Sequence, residues 1–508
     1  MTAETAARSS ESRLLTLPVV TAVVVIMALV KLLVGSRIEL AFDEGYYTFW
    51  SFWPQPGYLD HPPAVAWMIA AGRAIFGDTE LGSRFFAVLS GVAVSAMIYR
   101  IGVLLFDRRT AALATLWYNL TLAFALGFVI TPDPPSALFW AAVLWAVAEF
   151  MDRNNPAWLL LGGVFAGLGL WAKYTNAFLL IGLLLFVLVS ADRRRWFGLW
   201  QLWAAPVVAL IVFSPVIWWN AERNWASFLF QGKRTSVSGL DLNWLVNLGE
   251  LLAGQAIFVV PVLFVCAVLG VALFLRRPSV AERAGLALPV LTALPALAYF
   301  LFHTVHGRVE ANWLLPLWSG LTLVGAWAAL HWRPAAGRKL AIWRGLVVGQ
   351  GVIGVLMIAV VLAQFLFQPF SGFFDRTHET RGWRPLASRI EAIATQYGAS
   401  WILGETNYAS SGEIATYLRF TGADLPYYPL VETERYQFLP PLDPGAHGWP
   451  ALLVRHAATA SGLSQWFGKV EHADMLTRSH GAETMEAYDI YVVSEPTDAF
   501  LAMVAGEK

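Results

Sequence analysis

Residues 14–35 read LLTLPVVTAVVVIMALVKLLVG, an apolar run with a single charged side chain, Lys31. A helix needs about 20 apolar residues to cross the hydrocarbon core of a bilayer. The run therefore predicts a membrane-spanning helix near the amino terminus. Arg8 and Arg13 precede it, which favours an uncleaved signal anchor whose amino terminus stays in the cytoplasm.

The composition of the whole chain indicates a polytopic membrane protein. Of its 508 residues, 57% are hydrophobic and only 14% are charged, whereas soluble domains are about 25% charged. The 35 basic and 35 acidic residues balance, which excludes nucleic acid as an expected partner, because that binding needs a clustered excess of Lys and Arg. The single cysteine, Cys266, lies in an apolar run and excludes a disulfide framework or a cysteine metal site.

Further apolar runs bring the predicted number of spans to about eleven. The predicted spans are 14–35, 85–106, 111–130, 136–150, 157–172, 175–190, 197–219, 244–275, 285–302, 313–331 and 341–367. With the amino terminus inside, the loops assigned to the cytoplasm are all basic, as the positive-inside rule expects; these are 107–110, 151–156, 191–196, 276–283 and 331–339. Acidic and histidine residues collect in the opposite loops, and an odd number of spans leaves the carboxyl terminus outside.

The chain changes character after the last span, near Gln368-Pro369. Charge and Gly/Pro frequency rise, and helical patterns at 385–398 and 410–420 alternate with strand-like runs at 401–405, 451–456 and 487–494. This predicts two domains: an all-α membrane bundle over 1–368, including a first outer loop at 36–84, and a small α/β domain over 369–508. Within that loop, residues 63–77 predict a helix lying along the membrane surface.

Ionisable residues from separate outer loops form the candidate site, because loops at one end of a helix bundle can surround a single cavity. The acidic members are Asp43, Glu44, Asp60, Asp133, Glu222 and Glu310, and the basic or histidine members are His61, Lys173 and Arg308. Adjacent carboxylates such as Asp43 and Glu44 repel each other, which favours proton abstraction near neutral pH. The alternative for this pair is a solvated acidic loop or a helix cap.

The other candidates also leave alternatives open. Asp60 and His61 can bind a metal, grip a phosphate or orient another side chain, while Asp60 alone can cap the following helix. Asp133, in the proline-fixed turn TPDPP, fits an active-site acid or a turn residue. Lys173 can reach lipid headgroups or pair with a ligand phosphate. Arg308 and Glu310 fit a binding loop or a polar loop with an internal ion pair.

The ordered series of motifs resembles the membrane glycosyltransferases of the GT-C class. The series consists of FDEGYY (42–47), GYLDHPPAVAWMIAAGRAIFGD (57–78), TPDPPSALFW (131–140), GLWAKYTN (169–176) and HGRVEANWLLPLW (306–318). Within that class, the chain is most similar to the bacterial branch related to protein O-mannosyltransferases and to the transferases that place aminoarabinose or galacturonic acid on lipid A and lipopolysaccharide core. The similarity covers about residues 14–320.

The resemblance implies a multi-pass protein of the bacterial inner membrane with a periplasmic carboxyl-terminal domain. It implies eleven to thirteen helices and an inverting transfer of a sugar from an undecaprenyl-type phosphate donor to lipid A or lipopolysaccharide. A protein O-glycosyltransferase of the same fold and a lipid-linked sugar flippase or transporter are the alternatives. A divalent metal is the one cofactor kept open.

The resemblance also assigns roles to residues. Asp43 matches the candidate catalytic base, with Glu44 beside it, and Asp133 matches the second acidic position. Lys173 corresponds to a lysine that contacts the donor phosphate, assisted by His61 and Arg308. The substrate-binding candidates are Tyr46, Tyr47, Glu310 and Asn312. Asp60-His61 replaces a Glu-Lys pair of the aminoarabinose transferases, so the phosphate contact of His61 depends on pH and Asp60 keeps a metal-associated role as one alternative.

Overall fold

The computed structural model describes residues 15–235, 239–276, 280–332, 334, 337–370, 375–457, 462–480 and 483–505. Arg8 and Arg13, which set the predicted orientation, lie outside these residues, as do parts of the basic loops 276–283 and 331–339. The chain divides into two compact units. The bundle unit is Met1–Leu33, His61–Val65 and Phe86–Ala363, and the sheet unit is Val34–Asp60, Ala66–Phe85 and Gln364–Lys508.

This division differs from the predicted domains at the first outer loop. The break at 363/364 lies close to the predicted boundary at 368/369, but most of the loop 36–84 is grouped with the carboxyl-terminal residues. The physical reason is that the helix at 42–50 packs on a helix of the carboxyl-terminal region, where Gly412 leaves room for its backbone. A Cβ at Gly412 would lie 2.6 Å from Cα of Tyr46, so another side chain there would force the helices apart.

The helices of eight residues or more are numbered in chain order. They are α1 Leu17–Gly35, α2 Phe42–Trp50, α3 Ala64–Phe76, α4 Glu80–Leu105, α5 Arg108–Asn119, α6 Asp133–Arg153, α7 Ala157–Ala172, α8 Ala177–Leu188, α9 Trp200–Glu222, α10 Ala226–Thr235, α11 Trp244–Phe258, α12 Pro261–Leu275, α13 Val280–His303, α14 Trp318–His331, α15 Arg338–Phe367, α16 Trp383–Tyr397, α17 Tyr408–Thr421 and α18 Asp498–Ala505. The predicted helix at 63–77 is confirmed as α3.

The predicted number of eleven spans is not confirmed. In the part of the chain that the structure describes, seven helices are long and apolar enough to cross a membrane, or up to nine if each of two bent pairs is one span. The predicted span 244–275 is one such pair, α11 and α12, bent by 110°. Val260 has a positive φ of 67° and Pro261 lacks an N–H, so a straight helix is interrupted there.

Of two other predicted spans, 111–130 is broken and 157–172 is present with its predicted bounds. The span 111–130 ends as α5 at Asn119, and the hydroxyl of Thr121 then caps a separate four-residue turn of helix by accepting from the backbone N–H of Phe124 at 3.2 Å. The span 157–172 is an apolar helix of 16 residues. The multi-pass, mostly helical character of the chain is nevertheless confirmed.

The core of the bundle unit consists of apolar side chains on helices that are hydrophobic all round. The segment Ala311–His331 is the most buried of the candidate spans, whereas α15 is mostly exposed, as expected of an apolar helix that faces lipid. A buried carboxylate, Glu149 on α6, accepts from Nε of Arg100 at 2.6 Å and Nε of Arg153 at 2.7 Å. These contacts join α4 to α6 without leaving a bare charge among apolar residues.

The sheet unit contains a five-stranded mixed sheet. The strands are β1 Ile402–Glu405, β2 Tyr427–Pro429, β3 Ala451–His456, β4 Phe467–His480 and β5 Glu483–Pro496, in the order β2-β1-β3-β5-β4. β1 pairs in parallel with β2 and β3, and β5 pairs in antiparallel with β3 and β4. The predicted helices and strands of this region are confirmed; β2 and β4 are additional strands that the sequence reading missed.

Candidate active site

In the sheet unit, the two adjacent acids of the first loop lie in opposite environments. α2 carries both, and successive residues of a helix point about 100° apart. Asp43 is exposed, and its Oδ1 accepts a hydrogen bond from the hydroxyl of Tyr408 at 3.3 Å. Glu44 is fully buried. The pair is therefore one surface carboxylate and one interior carboxylate, rather than two acids that share a solvated loop.

Arg84 is the counter-ion of Glu44. Its Nε donates to Oε1 of Glu44 at 2.8 Å and its Nη2 donates to Oε2. The same guanidinium donates to the carbonyls of Gly35, Ile38 and Glu39 at 2.7–2.9 Å. Glu44 also accepts from the backbone N–H of Ala41 at 3.0 Å, which caps α2. This arrangement favours a structural role for Glu44 over the predicted catalytic one, because a proton acceptor has to reach its substrate.

Asp60 lies in a second network of the same unit. Its Oδ2 accepts from the hydroxyl of Tyr46 at 2.8 Å and its Oδ1 accepts from Nη1 of Arg435. Burial opposes the charge of Arg435, but Asp60 beside it raises the pKa of the guanidinium above its ordinary value. Burial and Asp60 likewise raise the pKa of the Tyr46 phenol. Both oxygens of Asp60 are therefore held, one by Arg435 and one by Tyr46.

This donor set does not fit the metal role kept open for Asp60. Both of its oxygens accept hydrogen bonds, and the Arg435 cation beside them opposes a second positive charge. Within the described ranges there is no group of three or more His, Cys, Asp or Glu side chains that could hold a metal ion.

The predicted substrate-binding residues Tyr46 and Tyr47 are buried. Their rings lie 5.7 Å apart, and the ring of Trp50 lies 4.9 Å from Tyr46 and 5.0 Å from Tyr47. This packing favours a core role for both tyrosines. Tyr46 also connects α2 to Asp60 within the first loop, because its hydroxyl donates a hydrogen bond to that carboxylate.

In the bundle unit, two residues of the predicted candidate site, Asp133 and Lys173, come together with Asn312. Nζ of Lys173 lies 2.6 Å from Oδ1 of Asp133, and Nδ2 of Asn312 donates to Oδ2 of Asp133 at 2.7 Å. Asp133 is the first residue of α6, Lys173 follows the last residue of α7, and Asn312 lies in a short 3₁₀ helix at Ala311–Leu317. We call these three residues the lysine cluster.

The lysine cluster is largely shielded from solvent. The side chains of Lys173 and Asp133 are 11% and 8% exposed, so their attraction is weakly screened. Lys173 was expected either to reach lipid headgroups or to pair with a ligand phosphate. In the structure its ammonium instead contacts Asp133. Asp133 is the first residue of α6, and its carboxylate is the counter-ion of a shielded lysine.

The remaining predicted residues of the bundle unit are more open. The side chain of Arg308 is 65% exposed, and its Nε lies 3.4 Å from Glu250 and 3.4 Å from Glu310. The internal ion pair expected as the alternative for Arg308 and Glu310 is therefore present, and two carboxylates already offset the positive charge of Arg308. His61 is half-buried, and it is the first residue of the segment His61–Val65 of the bundle unit.

Sequence reasoning missed the partners that hold the predicted acids. Arg84, Tyr408 and Arg435 contact Glu44, Asp43 and Asp60 across 40, 365 and 375 positions of sequence. Arg84 lies in the first turns of the apolar helix α4, where a charged side chain needs a partner. That position was the sequence signal that could have indicated its pairing with an acid. Nothing in the local sequence marks Tyr408 or Arg435.

Comparisons with known proteins show which enzymes the chain resembles. Residues 60–219 match the family model described as dolichyl-phosphate-mannose-protein mannosyltransferase. A lipid A galacturonosyltransferase of Rhizobium johnstonii is 23% identical over 71% of this chain and 74% of its own length. A lipopolysaccharide core galacturonosyltransferase of the same organism is 26% identical over 64% of this chain and 66% of its own length. The resemblance to GT-C membrane glycosyltransferases is thus confirmed.

The fold has a close parallel among solved structures. ArnT from Cupriavidus metallidurans in the apo state superimposes with a TM-score of 0.64, at 17% sequence identity, over 93% of this chain and 97% of that one. At this level of identity the likeness is one of fold. The sequence matches and the family model confirm the predicted enzyme class, a glycosyltransferase that uses a lipid-linked sugar. The roles predicted for individual side chains stay predictions.

Proposed function

We propose that the chain transfers a sugar from an undecaprenyl-type phosphate to lipid A or lipopolysaccharide at the periplasmic face of the bacterial inner membrane. Two relatives are described as galacturonosyltransferases of lipid A and of lipopolysaccharide core. ArnT of Cupriavidus metallidurans, which has a similar fold, has also been solved bound to undecaprenyl phosphate. The observation that carries the proposal is the lysine cluster, which holds a positive charge in a shielded position.

In this proposal, Lys173 stabilises the leaving group. As the bond between the sugar and its phosphate breaks, negative charge grows on the phosphate oxygens, and a fixed cation in a water-poor site lowers the energy of that transition state. The ammonium has three N–H donors, and the contact with Asp133 uses one of them. Asp133 then acts as the counter-ion that orients Lys173, a narrower role than the catalytic acid first predicted.

Asp43 acts on the acceptor. The acceptor oxygen forms a bond to the anomeric carbon while the phosphate leaves from the opposite face, so the configuration inverts. If the acceptor is a hydroxyl, Asp43 accepts its proton. If the acceptor is a phosphate of lipid A, it is already anionic, and Asp43 orients it without taking a proton. The exposure of Asp43 supports either role, whereas the buried Glu44 is unsuited to both.

A second acceptor class has one observation in its favour. The family model that matches residues 60–219 is described by transfer to protein, which favours a serine or threonine hydroxyl as the acceptor. No comparable observation favours the flippase or transporter. An acceptor panel separates the two enzyme alternatives: lipid A, dephosphorylated lipid A, lipopolysaccharide core and periplasmic protein.

The test is transfer of labelled sugar from defined polyprenyl phosphate donors by the purified full chain. Lys173→Met should lower kcat about a hundredfold or more, as loss of a preorganised donor does. Asp43→Asn should also lower kcat, and more strongly with a hydroxyl acceptor than with a phosphate acceptor. Lys339→Ala and Asp424→Asn, which change exposed residues of the same types, are the matched controls. Wild-type rates in both Lys173→Met and Asp43→Asn would overturn the proposal.

A further inference from the structure

The carboxyl-terminal region contributes a connected set of side chains that reach two acids of the first loop, Asp43 and Asp60. The hydroxyl of Tyr408 donates to Asp43 at 3.3 Å, and Arg435 forms an ion pair with Asp60. Glu432 joins the two: it accepts from the backbone N–H of Tyr408 at 2.9 Å and from Nε of Arg435 at 3.2 Å. We call Tyr408, Glu432 and Arg435 the brace.

Ring contacts make the brace stiffer than its hydrogen bonds alone. The Arg435 guanidinium lies over the Tyr408 ring, 4.6 Å from its centroid, within the range of a cation–π interaction. The Tyr408 ring meets the Tyr46 ring edge-on with centroids 5.2 Å apart. Tyr46 in turn donates to Asp60. The brace and the first loop therefore form one closed network within the sheet unit.

Burial differs along the network in an informative way. The side chains of Asp60 and Arg435 are only 7% and 16% exposed, whereas Asp43 is exposed. A buried ion pair of this kind fixes geometry more than it stabilises. The network thus has a rigid interior end at Asp60 and presents one carboxylate, that of Asp43, to solvent.

We propose that the carboxyl-terminal region is a working part of the active site, in which Tyr408 is the positioning residue for Asp43 and Arg435 is the positioning residue for the loop around Asp60. This rests on the proposed function of Asp43. The Tyr408 hydroxyl holds one carboxylate oxygen and so contributes to fixing the rotamer of an exposed side chain. A preoriented carboxylate meets the acceptor without paying that ordering cost in the transition state.

The first experiment compares Tyr408→Phe with wild type in the sugar-transfer assay. The change removes one hydroxyl and keeps the ring. We expect kcat to fall about tenfold, in line with the loss of one hydrogen bond to a charged group, while KM for the polyprenyl phosphate donor stays unchanged. Tyr428→Phe is the matched control, because the hydroxyl of Tyr428 contacts His447 at 3.0 Å in the same unit.

The decisive measurement is a double-mutant cycle with Asp43. If Tyr408 acts through Asp43, Tyr408→Phe should cost nothing further in an Asp43→Asn background. An equal loss in both backgrounds, or a wild-type kcat for Tyr408→Phe, would overturn the inference. A wild-type rate for Asp43→Asn itself would overturn this inference and the proposed role of Asp43, whereas the proposed function falls only if Lys173→Met also keeps the wild-type rate, so the two failures are distinguishable.

Arg435 needs a test that tolerates a folding defect. Arg435→Gln leaves a buried carboxylate without its cation and should reduce both kcat and thermal stability. Adding Asp60→Asn removes that charge, so the double variant should regain most of the stability while kcat stays below wild type. Full recovery of kcat in the double variant would show that the pair merely stabilises the fold, and would overturn the positioning role of Arg435.

Discussion

The buried pair of Arg84 and Glu44 gives the sharpest prediction about what holds α2 in place. Arg84→Ala removes the cation that faces a fully buried carboxylate, together with donors to the carbonyls of Gly35, Ile38 and Glu39. Breaking a buried ion pair from one side costs about 3–5 kcal/mol, because it leaves an uncompensated charge. The lost carbonyl contacts add to that cost.

The cost can be expressed as a shift of unfolding temperature. The sheet unit has about 200 residues, and for a unit of this size each 1 kcal/mol corresponds to roughly 2–4 °C. We therefore expect Arg84→Ala to lower the unfolding temperature of the sheet unit by roughly 6–20 °C. The measurement is thermal unfolding of the purified chain in detergent, with protease resistance of the carboxyl-terminal region as a second probe.

Two comparisons isolate the cause. Arg389→Ala breaks an ion pair in which the side chains of Arg389 and Asp474 are 66% and 40% exposed. It should lower the unfolding temperature by less than about 4 °C. Arg84→Gln combined with Glu44→Gln removes the charges together and should be less destabilised than Arg84→Ala. An Arg84→Ala temperature equal to that of Arg389→Ala would refute the reasoning.

Three further predictions concern the surroundings of α2 and the start of the carboxyl-terminal region. Burial first, and neighbouring carboxylates second, raise the pKa of Glu413 well above its ordinary value. Because the unfolded chain releases this proton at a lower pH than the folded chain does, stability falls as pH rises above about 4.5. Glu413→Gln should remove this pH dependence from thermal melts recorded across pH. A Cβ at Gly45 would lie 2.3 Å from Cδ of Glu413, so Gly45→Ala should lower the unfolding temperature and Glu413→Ala should restore it; a Gly45→Ala variant as stable as wild type would contradict the packing. Burial raises the pKa of Asp375, but hydrogen bonds led by that from Thr377 outweigh it and lower the value to about 2; Asp375→Asn should abolish the stability that wild type loses as pH falls from about 4 to 2.

The sequence was sufficient for the strands that are buried on both faces. The continuous apolar residues in WILGE and ALLVRH predicted β1 and β3, because both strands are central and buried. β4 escaped because its residues, FGKVEHADMLTRSH, mix charges on a strand at the edge of the sheet. An edge strand exposes one row of backbone groups and tolerates such charges, so the period-2 signal is weak.

Hydropathy predicted where the chain is apolar but not where its helices bend. The run 244–275 is long enough for one span and contains two helices at 110° to each other, since the backbone at Val260 has a positive φ and Pro261 follows. A window average cannot register a single residue in that conformation. The count of eleven rested on apolar length and on loop charge, and neither of these registers a bend within an apolar run.

The candidate site was predicted residue by residue, and the structure changes what those residues can do by supplying their partners. Of the three predicted catalytic carboxylates, Glu44 faces Arg84 and Asp133 faces Lys173, so each neutralises a cation within its own unit. Asp43 is the one of these three that is exposed to solvent. A carboxylate that is shielded from solvent and held by a cation cannot readily reach a substrate. We therefore propose that the chemistry predicted for the three acids belongs to Asp43, and that Glu44 and Asp133 keep Arg84 and Lys173 in place.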